Sequence, residues 1–203
     1  MNLSAKIIER LTLYHCILGD ALETDEKFVS SAQLAQLLKV DDSQVRKDIS
    51  LCGVLGKAKI GYDVRELKTA IEKLLGFAKH KNLFIIGAGN LGFALSKYDD
   101  FGNYGMAVIA LFDNDPLKVG ISVNDKPIFH ISQLPEKMRT EQAETVILTV
   151  PKNVAQEMAD FAVSCGAKYI WNFTQKVLDV PDGVCVYYEN LIGNFLQLTH
   201  HQE

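Results

Sequence analysis

Apolar residues recur at helical spacing along the first third of the chain. Ile7, Leu11, Tyr14 and Leu18 fall at i, i+4, i+7 and i+11, the single stripe of an amphipathic helix. Ser30, with Gln33 three residues on, makes a capping-box pattern that opens a short helix to about Leu38. After "KVDD", Asp42 or Ser43 stands where it can cap a third helix, in which Val45, Ile49 and Cys52 face inward. Gln44, Arg46, Lys47 and Ser50 are left on its other faces. "KAKIGYDV" reads as a short strand–turn–strand with Gly61 suited to the turn, and a fourth helix spans Arg65–Leu75.

From Leu83 the pattern changes. The run "LFIIGAGNLG" is a buried strand that breaks into Gly87, Gly89 and Gly92, and a helix begins at Asn90. "MAVIALFD", ending in Asp113, is the next strand; "AETVILTVP" follows, then a helix from about Val154 to Ser164, then "AKYIWNF" and "GVCVYY". Leu191, Phe195 and Leu198 stripe a short terminal helix. Strands alternating with helices predict a doubly wound parallel sheet. The expected fold class is α/β: a winged helix-turn-helix over 1–79, a Rossmann domain over 80–188 and a C-terminal helix over 189–203, whose apolar stripe docks either on its own domain or on a partner subunit.

Composition changes this picture little, but charge changes it in one place. The chain of 203 residues is 48% hydrophobic, enough for a real core, and its formal net charge is −4. Residues 1–80 hold 12 Lys+Arg against 11 Asp+Glu, and the stretch from Ser43 to Lys59 alone has Arg46, Lys47, Lys57 and Lys59 against Asp48. A small basic patch therefore sits on an acidic protein, on the helix and hairpin that a winged helix-turn-helix presents to DNA. Four scattered cysteines with no C-x-x-C pair argue against metal or disulfide use. No run reaches membrane-span length and the N-terminus lacks a signal-peptide core, so a cytoplasmic location is expected.

Two candidate sites follow. In the first, Ser43, Gln44, Arg46 and Lys47 lie near the start of the recognition helix and Lys57 and Lys59 on the wing. Arg46 is the best fork for guanine, and Lys47, Lys57 and Lys59 suit phosphates. A helical oligomerisation module with a charged surface is the competing reading. In the second, Gly87 permits the tight turn, Gly89 lets a pyrophosphate approach the backbone, and Gly92 lets helix and sheet pack, with Ala88, Asn90 and Leu91 completing the loop. Asp113, 21 residues beyond Gly92, suits ribose hydroxyls and repels a 2′-phosphate, favouring NAD(H) over NADP(H), although Lys118 tempers that preference. Thr149, Val150 and Pro151 close the carboxyl edge of the sheet. A glycine-rich turn without ligand is the competing reading. Of five histidines only His130 lies within the α/β part, with no acid beside it, and no Tyr-x-x-x-Lys pair occurs near the expected edge. A catalyst is not evident.

Across nearly its whole length the sequence resembles the Rex family of redox-sensing transcriptional repressors. The matching segments include "RLTLY", "SSAQLAQLLKVDDSQVRKDIS", "GKAKIGYDVREL", "IIGAGNLGFAL", "LFDNDPLKVG", "VPKNVAQEMAD" and "NF", Asn172–Phe173. The resemblance implies a homodimer that represses fermentative genes on inverted-repeat operator DNA while NAD⁺ dominates and leaves it when NADH rises. It implies a terminal helix exchanged between subunits, and a cofactor site that includes Tyr98, Asn172 and Phe173. By matched position it places Tyr62 on the wing with Lys57 and Lys59. If the neutral nicotinamide fits only a closed dimer, closure moves the two readers out of half-site spacing. Four departures stand out: "KAKIGY" is poorer in Arg and Gly than the family's wing, "NFTQ" replaces Asn-Phe-Ala-Pro, Asn190 stands for an Asp, and Cys16 for an Arg. The alternatives are a small NAD-dependent oxidoreductase with an N-terminal dimerisation module, and a CoA- or nucleotide-binding regulatory domain.

Overall fold

The computed structural model describes residues 3–200 and divides at residue 79 into two compact units, Met1–Lys79 and His80–Glu203. The N-terminal unit holds four helices: α1 (Ala5–Glu23), α2 (Ser31–Leu38), α3 (Asp42–Leu51) and α4 (Val64–Leu75). Leu11, Tyr14 and Leu18 of the predicted stripe are fully buried, and Ile7 packs half-buried against the same core. The Ser30–Gln33 capping box forms as predicted, with Ser30 Oγ accepting from the Gln33 amide and the Gln33 side chain accepting from the Ser30 amide.

Two expectations here need correction. The cap of α3 is Asp41, not Asp42 or Ser43; its carboxylate accepts from the Ser43 amide at 2.7 Å. Asp42 instead pairs with Arg46 one turn along. The wing is also not a self-contained hairpin. A single bridge, Lys57 to Gly61, closes the loop, and β2 (Tyr62–Asp63) pairs antiparallel with β1 (Phe28–Val29), a strand too short for any periodicity to announce. Gly61 is required there: its φ is +110°, and a Cβ would lie 2.4 Å from the Val29 carbonyl oxygen. The opposing backbone thus dictates the residue.

The second unit is built on a seven-stranded sheet in the order β5-β6-β4-β3-β7-β8-β9. The strands are β3 (Lys81–Ile86), β4 (Met106–Asp113), β5 (Ser122–Val123), β6 (Lys126–His130), β7 (Thr145–Leu148), β8 (Tyr169–Asn172) and β9 (Cys185–Tyr188). All pairings are parallel except β5 with β6. Between Asp113 and Thr145 the sequence pattern assigns no element; there the chain forms β5, β6 and α6 (Leu134–Thr140). Helices α5 (Asn90–Ser96) and α7 (Ala155–Ser164) lie close to their predicted bounds. Buried Phe84, Ile86, Phe112, Val146 and Leu148 fill one face of the sheet, and Leu83, Ile85, Leu111 and Ile147 the other. That two-sided burial is why these strands read as unbroken apolar runs. The terminal helix α8 (Leu191–His200) leaves Leu191, Ile192, Phe195, Leu196 and Leu198 half to two-thirds exposed.

Candidate nucleotide cleft and DNA-reading helix

Strand order reverses between β3 and β7, so the loops after these two strands part and leave a cleft at the carboxyl edge. Its volume is about 740 Å³, within the range of small-molecule sites. Gly87, at φ +106°, is pinned from both sides: its amide donates to the Phe112 carbonyl, and its own carbonyl accepts the Thr149 hydroxyl at 2.8 Å. At Gly92 a Cβ would lie 2.1 Å from the Gly87 carbonyl oxygen, so only glycine lets α5 pack this close. At Gly89, the N-cap of α5, a Cβ would meet nothing within 4 Å, because that direction is open cleft. Among the described residues no side chain caps α5, so its first amides have no side-chain acceptor.

Asp113 ends β4 at the cleft. Its carboxylate accepts from the Ala88 and Asp115 amides, at 2.8 and 2.9 Å, and from Lys118 Nζ at 3.1 Å. Burial works against the ionised form, but those amide bonds and the lysine outweigh it and hold the carboxyl below its usual range. Asp113 therefore carries its charge at neutral pH, and Lys118 is engaged by Asp113 and Asp115.

The cleft brings together Gly87, Gly89, Asp113, Thr149, Val150 and Pro151 of the predicted set. Ala88 and Gly92 are buried beneath the loop, while Asn90 and Leu91 are exposed on α5. Tyr98, 55% exposed, is stacked edge-on against Phe101, and an aromatic row continues through Trp171 to Phe173. Asn172 is wholly buried, its amide spent on the Lys176 carbonyl and the Thr174 backbone and hydroxyl. It builds the turn after β8. The sequence reading missed Asn114, Ile131, Val154, Glu157 and Met158, which also line the cleft. Val154, Glu157 and Met158 begin one turn after the carboxyl edge of β7, a position that could have pointed to them. His130 accepts from the Ser132 amide and caps a short turn. His201 lies outside the described residues.

In the N-terminal unit, α3 displays Ser43, Arg46 and Lys47 on its exposed face. Gln44 is half-buried and donates to Asp48. Sequence reasoning placed Asp48 only as a charge; the structure buries it to 1% exposure, receiving Arg10, Tyr14 and Gln44. Lys59 is exposed in the left-handed region at φ +64°, Lys57 lies over the Phe28 ring, and Tyr62 is half-buried against Gly56.

The fold and the cleft together define a class: a winged helix-turn-helix unit followed on one chain by a Rossmann unit. A CoA binding domain family model matches residues 78–176, and one described as "Putative DNA-binding protein N-terminus" matches residues 2–50. The redox-sensing transcriptional repressor Rex of Treponema denticola is 40% identical over 96% of this chain and 93% of its own length. That of Clostridioides difficile is 35% identical over 98% and 95%. The chain belongs to the Rex family of redox-sensing transcriptional repressors. Among solved structures, RSP in complex with β-NAD⁺ and operator DNA superposes with a TM-score of 0.89 at 34% identity, covering all of this chain and 93% of that one. RSP with β-NADH gives 0.87 at 33% identity, covering all of this chain and 95% of that one.

Proposed function

We propose that the protein is a transcriptional repressor whose hold on operator DNA is set by the NADH/NAD⁺ ratio. The observation that carries the reading is the cleft: an open approach at Gly89, uncapped α5 amides and a charged Asp113, on the same chain as a helix α3 that exposes Arg46 and Lys47. RSP, a relative of the same fold, has been solved with β-NAD⁺ and operator DNA and with β-NADH, which supports it.

The residues fit a dinucleotide. Gly87, Gly89 and the α5 amides would hold the pyrophosphate, and Asp113 the adenosine ribose. Ile131, Val154 and Met158 would line the adenine, and Thr149, Val150 and Tyr98 would lie toward the nicotinamide. The nicotinamide supplies the difference that is sensed, a ring cationic when oxidised and neutral when reduced. An apolar surround penalises the cation by desolvation. With Asp113 ionised and Lys118 already paired, a 2′-phosphate is opposed, and NAD(H) is preferred. Arg46, Lys47, Lys57 and Lys59 would meet the duplex. We read the protein as a homodimer joined through α8, non-enzymatic, and cytoplasmic.

The deciding experiment is a gel shift on an inverted-repeat duplex across NADH/NAD⁺ ratios. Release on reduction supports the reading, and ratio-independent binding overturns it. The family model over 78–176 favours CoA as the second reading; thermal stabilisation by CoA but not by NADH would establish it.

A further inference from the structure

Asp48 lies on α3 one residue after Lys47 and two after Arg46, yet it points the other way, into the unit. Its two carboxylate oxygens divide four hydrogen bonds between them. Oδ2 receives Arg10 Nε at 2.6 Å and the Tyr14 hydroxyl at 3.0 Å. Oδ1 receives the second Arg10 nitrogen and Gln44 Nε2, each at 2.9 Å. Arg10 and Tyr14 both belong to α1. A two-pronged guanidinium fork therefore spans from α1 to the recognition helix, with a tyrosine beside it.

The apolar residues Val45 and Ile49 already hold α3 in the core. Apolar contact is non-directional, however, and leaves a helix free to roll or slide by small amounts. A bidentate guanidinium–carboxylate pair has fixed geometry. On a helix of 3.6 residues per turn, fixing the azimuth of Asp48 also fixes Arg46 and Lys47, roughly 200° and 100° around the axis. As a stabiliser, a buried ion pair gains little over apolar residues of the same size; its best-attested use is to set register.

We infer that Arg10, Tyr14 and Asp48 are positioning residues for DNA recognition: they set the roll of α3 that aims Arg46 and Lys47, and they engage Gln44 as a brace. This rests on reading α3 as the DNA-facing helix. The pair carries operator discrimination and leaves general affinity for DNA to the surface lysines.

The test uses the full chain and the duplex that the wild-type protein enriches from a pool of randomised inverted repeats, against a scrambled duplex of equal length. Arg10→Lys keeps the charge and loses one prong without touching α3; Asp48→Asn keeps the shape. Each should lower affinity for the enriched duplex about fivefold, the lower end for one bidentate base contact. Scrambled-duplex affinity, its salt slope and NADH binding should stay at wild-type values. Gln44→Ala placed in Asp48→Asn should add no further loss. Lowered melting with an unchanged ratio of enriched to scrambled affinity would show a merely structural pair and overturn the inference. If the wild-type protein enriches no duplex at all, the DNA-reading proposal fails and takes this inference with it.

Discussion

Single residues in the cleft differ in what they tolerate. Gly92 is surrounded: an added methyl group would meet the Gly87 carbonyl, so Gly92→Ala should destabilise the second unit by about 1–3 kcal/mol. A thermal melt checks this. Gly89 is the opposite case, since its missing side chain points into open cleft. Gly89→Val should melt as the wild type does and lose NADH binding, read by titration of the coenzyme's fluorescence. Both glycines fall at the fingerprint spacing and were legible in the sequence. Their different tasks, open approach at Gly89 and close packing at Gly92, were read there too; that the Gly87 carbonyl is what crowds Gly92 was not, because it depends on the backbone path of the turn.

Elements carry the next set of consequences. Burial opposes ionisation of Asp48, but bonds from Arg10, Gln44 and Tyr14 prevail and hold its carboxyl below the usual range. Burial first, and then the hydrogen bond to Asp48 and its charge, push the Tyr14 hydroxyl upward against the opposing pull of Arg10. A depressed carboxyl stabilises the fold above about pH 3.9, its ordinary value, and that contribution drains away as acid carries the pH through the lowered folded value. The protection factors of the α3 amides should therefore fall below about pH 4, and Asp48→Asn should flatten that acid limb. Ser30→Ala, by removing half of the capping box, should cost about 1 kcal/mol of stability in the N-terminal unit. The exposed apolar face of α8 belongs at this scale too. Phe195→Asp should convert a dimer to a monomer in sedimentation while the melting of the second unit stays near wild type.

At the scale of the whole molecule, the proposal requires reciprocity. Whatever factor NADH takes from operator affinity, operator must take from NADH affinity. NADH titrations with and without operator should differ by the same factor as operator titrations with and without NADH, and near-complete switching needs on the order of 10⁴-fold. Most of the architecture behind this was readable: the four amphipathic helices, the alternation of strand and helix, and the glycine spacing are all local patterns. The parts that escaped depend on distant partners. Strand β1 exists because Tyr62 and Asp63 pair with it, and Asp48 is buried because α1 brings Arg10. Neither has a periodicity to announce it.

The chain has a single tryptophan, Trp171, set in the aromatic row between Phe101 and Phe173 and hydrogen-bonded to Glu189. Reduced nicotinamide absorbs where indole emits, and the oxidised ring does not. Filling the cleft with the reduced coenzyme should dim this one lamp by energy transfer and light the coenzyme's own emission, giving an unlabelled optical gauge of occupancy in every experiment above.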